Sequence, residues 1–169
     1  LIGQGTRVCL TLPFALPGQD GALTVAESGE QRPARGNLRL LLAEDDEVSR
    51  LSGRLLLERM GHDVTTVANG AEALEALRAR PFDSVLMDVQ MPVMSGLEAT
   101  RLLREGESGA LNPRIPVIAM TAYAMTGDRE QFLAAGMDDY LAKPVTSEEL
   151  TRVLTRTLEL RGAHFAGPD

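Results

Sequence analysis

The chain has 169 residues, 44% apolar and 4% aromatic with no Trp, enough for one ordinary domain filled by Leu, Val, Ala and Met. Its net charge of −7 opposes direct nucleic-acid binding, which needs a basic face to displace counterions. The single cysteine, Cys9, excludes a disulfide framework and a multi-cysteine metal centre, which suits a reducing cytoplasm, and no apolar run approaches the ~20 residues that span a bilayer.

Residues 1–15 begin with Gly3-Gln4-Gly5-Thr6 and continue into an alternating, β-branched stretch predicted as one strand. Residues 16–37 hold Pro17-Gly18, Asp20-Gly21, Ser28-Gly29, Pro33 and Gly36, the composition of a linker. There is no signal-peptide layout and no initiator Met, so the chain reads as a piece of something longer.

From Leu38 the pattern becomes regular. An apolar run over 38–43 precedes a helix predicted over 47–60, where Val48, Leu51, Leu55 and Met60 fall near helical spacing and Gly61 is a stop. The run Leu55-Leu56-Leu57 is expected in the helix core. A strand over 63–67, a helix over 71–79 and a strand over 82–89 follow. A helix over 95–104, with Ser95 as its cap, leads to a strand over 115–122 and a helix over 127–135. A short strand over 140–142 and a helix over 147–160 complete the pattern, and residues 162–169 form a tail. Strands with few polar interruptions are covered on both faces, as in a parallel sheet. Five alternations with helices on both sides predict a doubly wound, five-stranded parallel α/β sheet. Ligands of such sheets bind outside the carboxyl ends of the strands.

Those ends carry chemistry. The first strand runs into Glu44-Asp45-Asp46, whose carboxylates suit Mg²⁺ better than zinc, or else form a solvated loop with Asp46 as a helix cap. The third ends in Asp88, a nucleophile or a turn-former. The fourth ends in Met120-Thr121-Ala122, whose hydroxyl either packs or donates to a phosphoryl oxygen. The fifth ends in Lys143-Pro144, a solvated lysine or a point charge for a carboxylate and a phosphoryl group. Taken singly, each position has a plain structural use. Brought to one edge, they form the set that phosphoryl transfer onto a carboxylate needs.

Leu-Leu-Ala-Glu44-Asp45, Leu-Met-Asp88-Val-Gln-Met-Pro92, Ala-Met-Thr121-Ala122 and Asp-Asp-Tyr140-Leu-Ala-Lys143-Pro144 together resemble a receiver domain of two-component signalling, over residues 38 to about 161. The resemblance implies the flavodoxin-like fold of chemotaxis response regulators, with strand order 2-1-3-4-5. It implies that Asp88 is the phosphoacceptor and that Asp45, Asp88 and the backbone carbonyl of Gln90 ligate Mg²⁺, with Glu44 acting largely through water. Thr121 would bind the phosphoryl group, Lys143 would pair with it, and Tyr140 would change rotamer as Thr121 moves. It also implies a cis Lys143–Pro144 bond. Gln90 and Tyr123 would flank the path of attacking water. The front segment resembles the last glycine box and final strand of a histidine-kinase ATP-binding domain, which implies a hybrid kinase as parent and a fragment too short to bind ATP.

The implied partners are a histidine kinase as phosphodonor and a histidine-containing phosphotransfer protein, with no nucleic acid and no membrane contact by this fragment. A helix surface over 47–60 is a candidate for docking a four-helix partner. His62, in a helix–strand turn, and His164, in the tail, are assigned no role. The alternatives are an aspartyl-phosphate hydrolase of similar fold, opposed by Gln90 where a second carboxylate is needed, and an interaction module independent of phosphorylation. A nucleotide or flavin binder is opposed by the lack of a Gly-rich loop after the first strand.

Overall fold

The computed structural model describes residues 37–122 and 128–160. The segment 1–15, the linker up to residue 36, Tyr123, Gly127 and the residues after 160, His164 included, lie outside the described residues. Strand and helix alternate throughout: β1 (Arg39–Ala43), α1 (Glu47–Arg59), β2 (Asp63–Val67), α2 (Gly70–Ala79), β3 (Ser84–Asp88), α3 (Gly96–Glu105), β4 (Val117–Thr121), α4 (Asp128–Ala134), β5 (Asp139–Ala142) and α5 (Ser147–Leu160). The strands pair in parallel in the order β2-β1-β3-β4-β5, as expected.

Side chains of a strand alternate between its faces, and here the alternation builds two cores. Leu40, Leu42, Leu86, Ile118 and Met120 face Leu57 of α1 and Leu150, Val153 and Leu154 of α5. Leu41, Ala43, Val85, Met87, Val117 and Ala119 pack on the other side with Leu74 and Leu77 of α2, Leu103 of α3 and Phe132 of α4. Each fully buried leucine contributes about 1.5–3 kcal/mol. With both faces covered, β3 and β4 are buried along their whole length.

The helix ends are fixed by short polar contacts. Asp46, Asn69 and Ser95 cap α1, α2 and α3 by accepting from the amides of Ser49, Glu72 and Glu98. At the far end of α1, Gly61 adopts φ +89°. Its amide donates to the Glu58 carbonyl at 3.0 Å and that of His62 to Leu57 at 3.2 Å, the paired bonds of a Schellman turn.

Two expectations need adjusting. β4 begins at Val117 rather than 115, because Pro116 has no amide hydrogen to give the ladder, and the Val117 amide donates instead to Asp138 Oδ2 at 2.8 Å. On α1, Val48, Leu51 and Leu55 are 73%, 55% and 50% exposed. The helix turns Gly53, Leu56 and Leu57 to the sheet, so the leucine run is divided between faces and leaves an apolar stripe outside.

Candidate functional site

Parallel strands present their carboxyl ends together, so the four ends singled out by sequence meet at one edge. Asp88, the last residue of β3, is buried, and its Oδ1 accepts from the Gln90 amide at 3.0 Å. Glu44, just past β1, is buried as well, and its amide donates to Val67 of β2 at 3.1 Å. Lys143 follows β5, two strand positions from Asp88, roughly 10 Å at ordinary strand spacing. Its long stem closes that gap. Nζ lies 2.5 Å from Asp88 Oδ2 and 2.5 Å from Glu44 Oε2. The Lys143–Pro144 peptide is cis, as the resemblance implied.

Asp45 is exposed, and its carboxylate joins those of Glu44 and Asp88, with the oxygens of all three within 4.8 Å of one another. An all-oxygen donor set of three carboxylates fits a hard divalent cation. Asp46 stands outside this cluster. Its Oδ1 accepts from the Ser49 amide at 2.8 Å, and that capping bond holds its carboxyl below the usual range, so the plain reading of Asp46 is the correct one.

Burial pushes the Glu44 carboxyl up, against the opposing pull of Lys143, and the charge of Asp88 pushes the same way. Burial also works against the Lys143 ammonium, but its bonds to Asp88 and Glu44 outweigh that effect and hold it above the usual lysine value. One shared cation therefore serves two buried carboxylates, and for Glu44 burial outweighs what that cation returns.

Thr121 closes β4, buried, and its carbonyl accepts from the Lys143 amide at 2.8 Å. Tyr140 lies on β5 with its ring 6.3 Å from that of Phe132, in the second core rather than in the charged cluster. Glu44, Asp45, Asp88 and Lys143 thus come together, Gln90 is bonded to Asp88 through its backbone, and Tyr140 stands apart.

Two participants were not identified from sequence. Gly96 opens α3 directly beneath Asp88, where a Cβ would lie 2.1 Å from the Asp88 carbonyl oxygen. Arg50, in the first turn of α1, donates from Nη1 to the carbonyls of Glu44 at 2.7 Å and Asp45 at 3.0 Å. The only sequence signal for Arg50 is a basic residue one helical turn past an acidic pair.

Residues 40–155 match the family described as the response regulator receiver domain. The sensor histidine kinase GacS of Pseudomonas protegens is 42% identical over 118 residues, which is 70% of this chain and 13% of that protein. The signal transduction histidine-protein kinase BarA of Escherichia coli is likewise 42% identical, over 69% of this chain and 12% of its own length. The chain therefore spans about an eighth of these curated relatives. Among solved structures, the receiver domain of the sensor histidine kinase PA1611 from Pseudomonas aeruginosa, described with a magnesium ion in its active-site cleft, superposes with a TM-score of 0.65. It is 42% identical, over 73% of this chain and 99% of that one. Chemotaxis protein CheY4 of Vibrio cholerae, at 28% identity, gives 0.64 over 72% and 99% of the two chains. The chain belongs to the response regulator receiver domain family.

Proposed function

We propose that Asp88 accepts a phosphoryl group from a phosphohistidine of a histidine kinase in a Mg²⁺-dependent reaction. The observation that carries this reading is the Lys143 ammonium held 2.5 Å from Asp88, beside a cluster of three carboxylates. An Asp88 oxygen attacks phosphorus in line as the P–N bond breaks, giving an acyl phosphate and returning the electron pair to the imidazole. Lys143 pairs with the incoming phosphoryl oxygens, and the Thr121 hydroxyl donates to one of them. Glu44, Asp45, Asp88 and the Gln90 carbonyl would hold Mg²⁺, Glu44 largely through water, and the ion supplies charge neutralisation on the transferring group. Movement of Thr121 would then change the rotamer of Tyr140 and present an altered surface.

The onward acceptor in this reading is a histidine-containing phosphotransfer protein. The outward stripe of Val48, Leu51 and Leu55 on α1 supports helix docking there. A cleft of about 440 Å³ beside α1 is lined by Leu56, Val145 and Leu150 together with Glu44 and Lys143. The parent in this reading is a hybrid histidine kinase, with residues 1–15 from the end of its ATP-binding domain, 16–37 as linker, 38–161 as receiver and 162–169 as tail. The fragment then catalyses only its own aspartyl phosphorylation and dephosphorylation, in the cytoplasm. No described helix is long and apolar enough to cross a membrane.

The test is mass spectrometry after incubation with Mg²⁺ and acetyl phosphate. A base-labile phosphoryl mass gain is expected in the wild type and absent in Asp88→Asn or in chelator. Labelling of Asp88→Asn would overturn the assignment.

A further inference from the structure

We infer that Arg50 is a positioning residue for the cation site, a role that rests on reading Glu44, Asp45 and Asp88 as the Mg²⁺ set. The short connection from β1 to α1 must place two successive carboxylates, one buried and one exposed, opposite Asp88. The buried one, Glu44, is fastened by its amide to Val67 and by its side chain to Lys143. Asp46 is fastened by its cap to Ser49. Asp45 lies between them with an exposed side chain, so the orientation of the backbone beneath it sets where its carboxylate points.

Arg50 fixes that backbone. Its Nη1 donates both to the Glu44 carbonyl, at 2.7 Å, and to the Asp45 carbonyl, at 3.0 Å. These two carbonyls belong to the peptide planes on either side of the Asp45 Cα, so one guanidinium nitrogen fixes both planes. The helix holds the donor in turn: the Arg50 amide bonds the Asp46 carbonyl at 2.8 Å, the first rung of α1. Arg50 as a whole is half-buried, which limits the freedom of its side chain further. Groups that orient metal ligands in this way affect affinity without touching the ion.

A purely electrostatic role predicts the opposite sign. A guanidinium near a divalent-cation site repels the cation, so its removal should tighten binding if charge were all that mattered. Removal of a positioning group should weaken it.

The experiment is calorimetric titration of Mg²⁺ into the chain and its Arg50→Gln, Arg50→Lys and Arg54→Gln variants, with thermal unfolding in chelator as a check on folding. Arg54 lies one turn further along α1 and pairs only with Glu58 of the same helix among the contacts described. Arg50→Gln is expected to bind Mg²⁺ about tenfold more weakly. Arg54→Gln should match wild type, and Arg50→Lys, which keeps a cationic donor, should fall between wild type and Arg50→Gln. Equal or tighter binding by Arg50→Gln overturns the role, as does an equal loss in Arg54→Gln. If Arg50→Gln does not fold, Arg50→Lys decides, and wild-type affinity in both Arg50→Lys and Arg54→Gln overturns it. A wild type that takes up no Mg²⁺ sinks the underlying cation reading; wild-type uptake matched by Arg50→Gln sinks the Arg50 role alone.

Discussion

The ammonium of Lys143 sits 2.5 Å from Oδ2 of Asp88, and the same nitrogen serves Glu44 at an equal distance. Replacing Lys143 with Met leaves two buried carboxylates facing each other without their cation. Breaking such a pair costs about 3 kcal/mol. The expected outcome for Lys143→Met, by urea denaturation at pH 7 without Mg²⁺, is a loss of that size, shrinking as the pH falls and Glu44, whose carboxyl burial holds up, protonates. An unchanged midpoint would show that the carboxylates do not depend on Lys143.

Glu44 gives the pH dependence. Its folded-state carboxyl lies above the unfolded value of 4.5, chiefly through burial, so ionised Glu44 is disfavoured by the fold. Its contribution is fully favourable below pH 4.5 and is lost as pH rises through the folded value. Glu44→Gln should therefore raise the melting temperature of the Mg²⁺-free domain at pH 7, with the advantage disappearing toward pH 4.5. A constant advantage across that window would argue against titration of Glu44 as the cause.

Gly96 has no room for a side chain. A Cβ would meet the Asp88 carbonyl oxygen at 2.1 Å and Met87 Cγ at 2.8 Å. Overpacking of this kind costs about 1–3 kcal/mol. Because the clash is with the backbone of Asp88 itself, Gly96→Ala should lower both the unfolding midpoint and the rate of labelling by acetyl phosphate in the fraction still folded. Normal labelling of the folded fraction would show that the clash is relieved without moving Asp88.

Val93 has φ +69°, outlying for a β-branched residue, in a one-residue turn where the Met94 amide bonds the Pro92 carbonyl at 2.7 Å. It is 86% exposed, so little packing would be lost on truncation. Val93→Gly is expected to stabilise the domain by about 1 kcal/mol, after the entropy that glycine adds to the unfolded chain, as a melting temperature a few degrees higher. An unchanged or lower melting temperature would mean the turn carries no such strain.

Much of this was legible from residue types and order. Alternating short apolar runs and amphipathic segments led to a parallel sheet, and a parallel sheet gathers Glu44, Asp88, Thr121 and Lys143 whatever the side-chain details. Asp46 and Ser95 were recognisable as caps because a cap is a local arrangement of a few residues. What could not be read depends on contacts that have no periodic signature. The α1 sequence carries two apolar stripes, and only the packed sheet shows that Gly53, Leu56 and Leu57 take the inside while Val48, Leu51 and Leu55 stay out. The Arg50 contacts go to backbone carbonyls, which every residue possesses and no sequence pattern marks. His62 looked like an ordinary turn residue. The Schellman turn folds it back until it is buried, with no hydrogen-bond partner for Nδ1 among the described residues, and burial lowers its pKa.

The shared lysine also determines the charge balance of the site. With all groups ionised, Glu44, Asp45 and Asp88 contribute −3 and Lys143 contributes +1, leaving −2. One divalent ion cancels that remainder and a monovalent ion only halves it. The lysine thereby sets the match in valence: a neutral side chain at position 143 would leave the cluster at −3, pulling harder on any cation and most of all on a doubly charged one, but leaving the occupied site with an uncancelled −1.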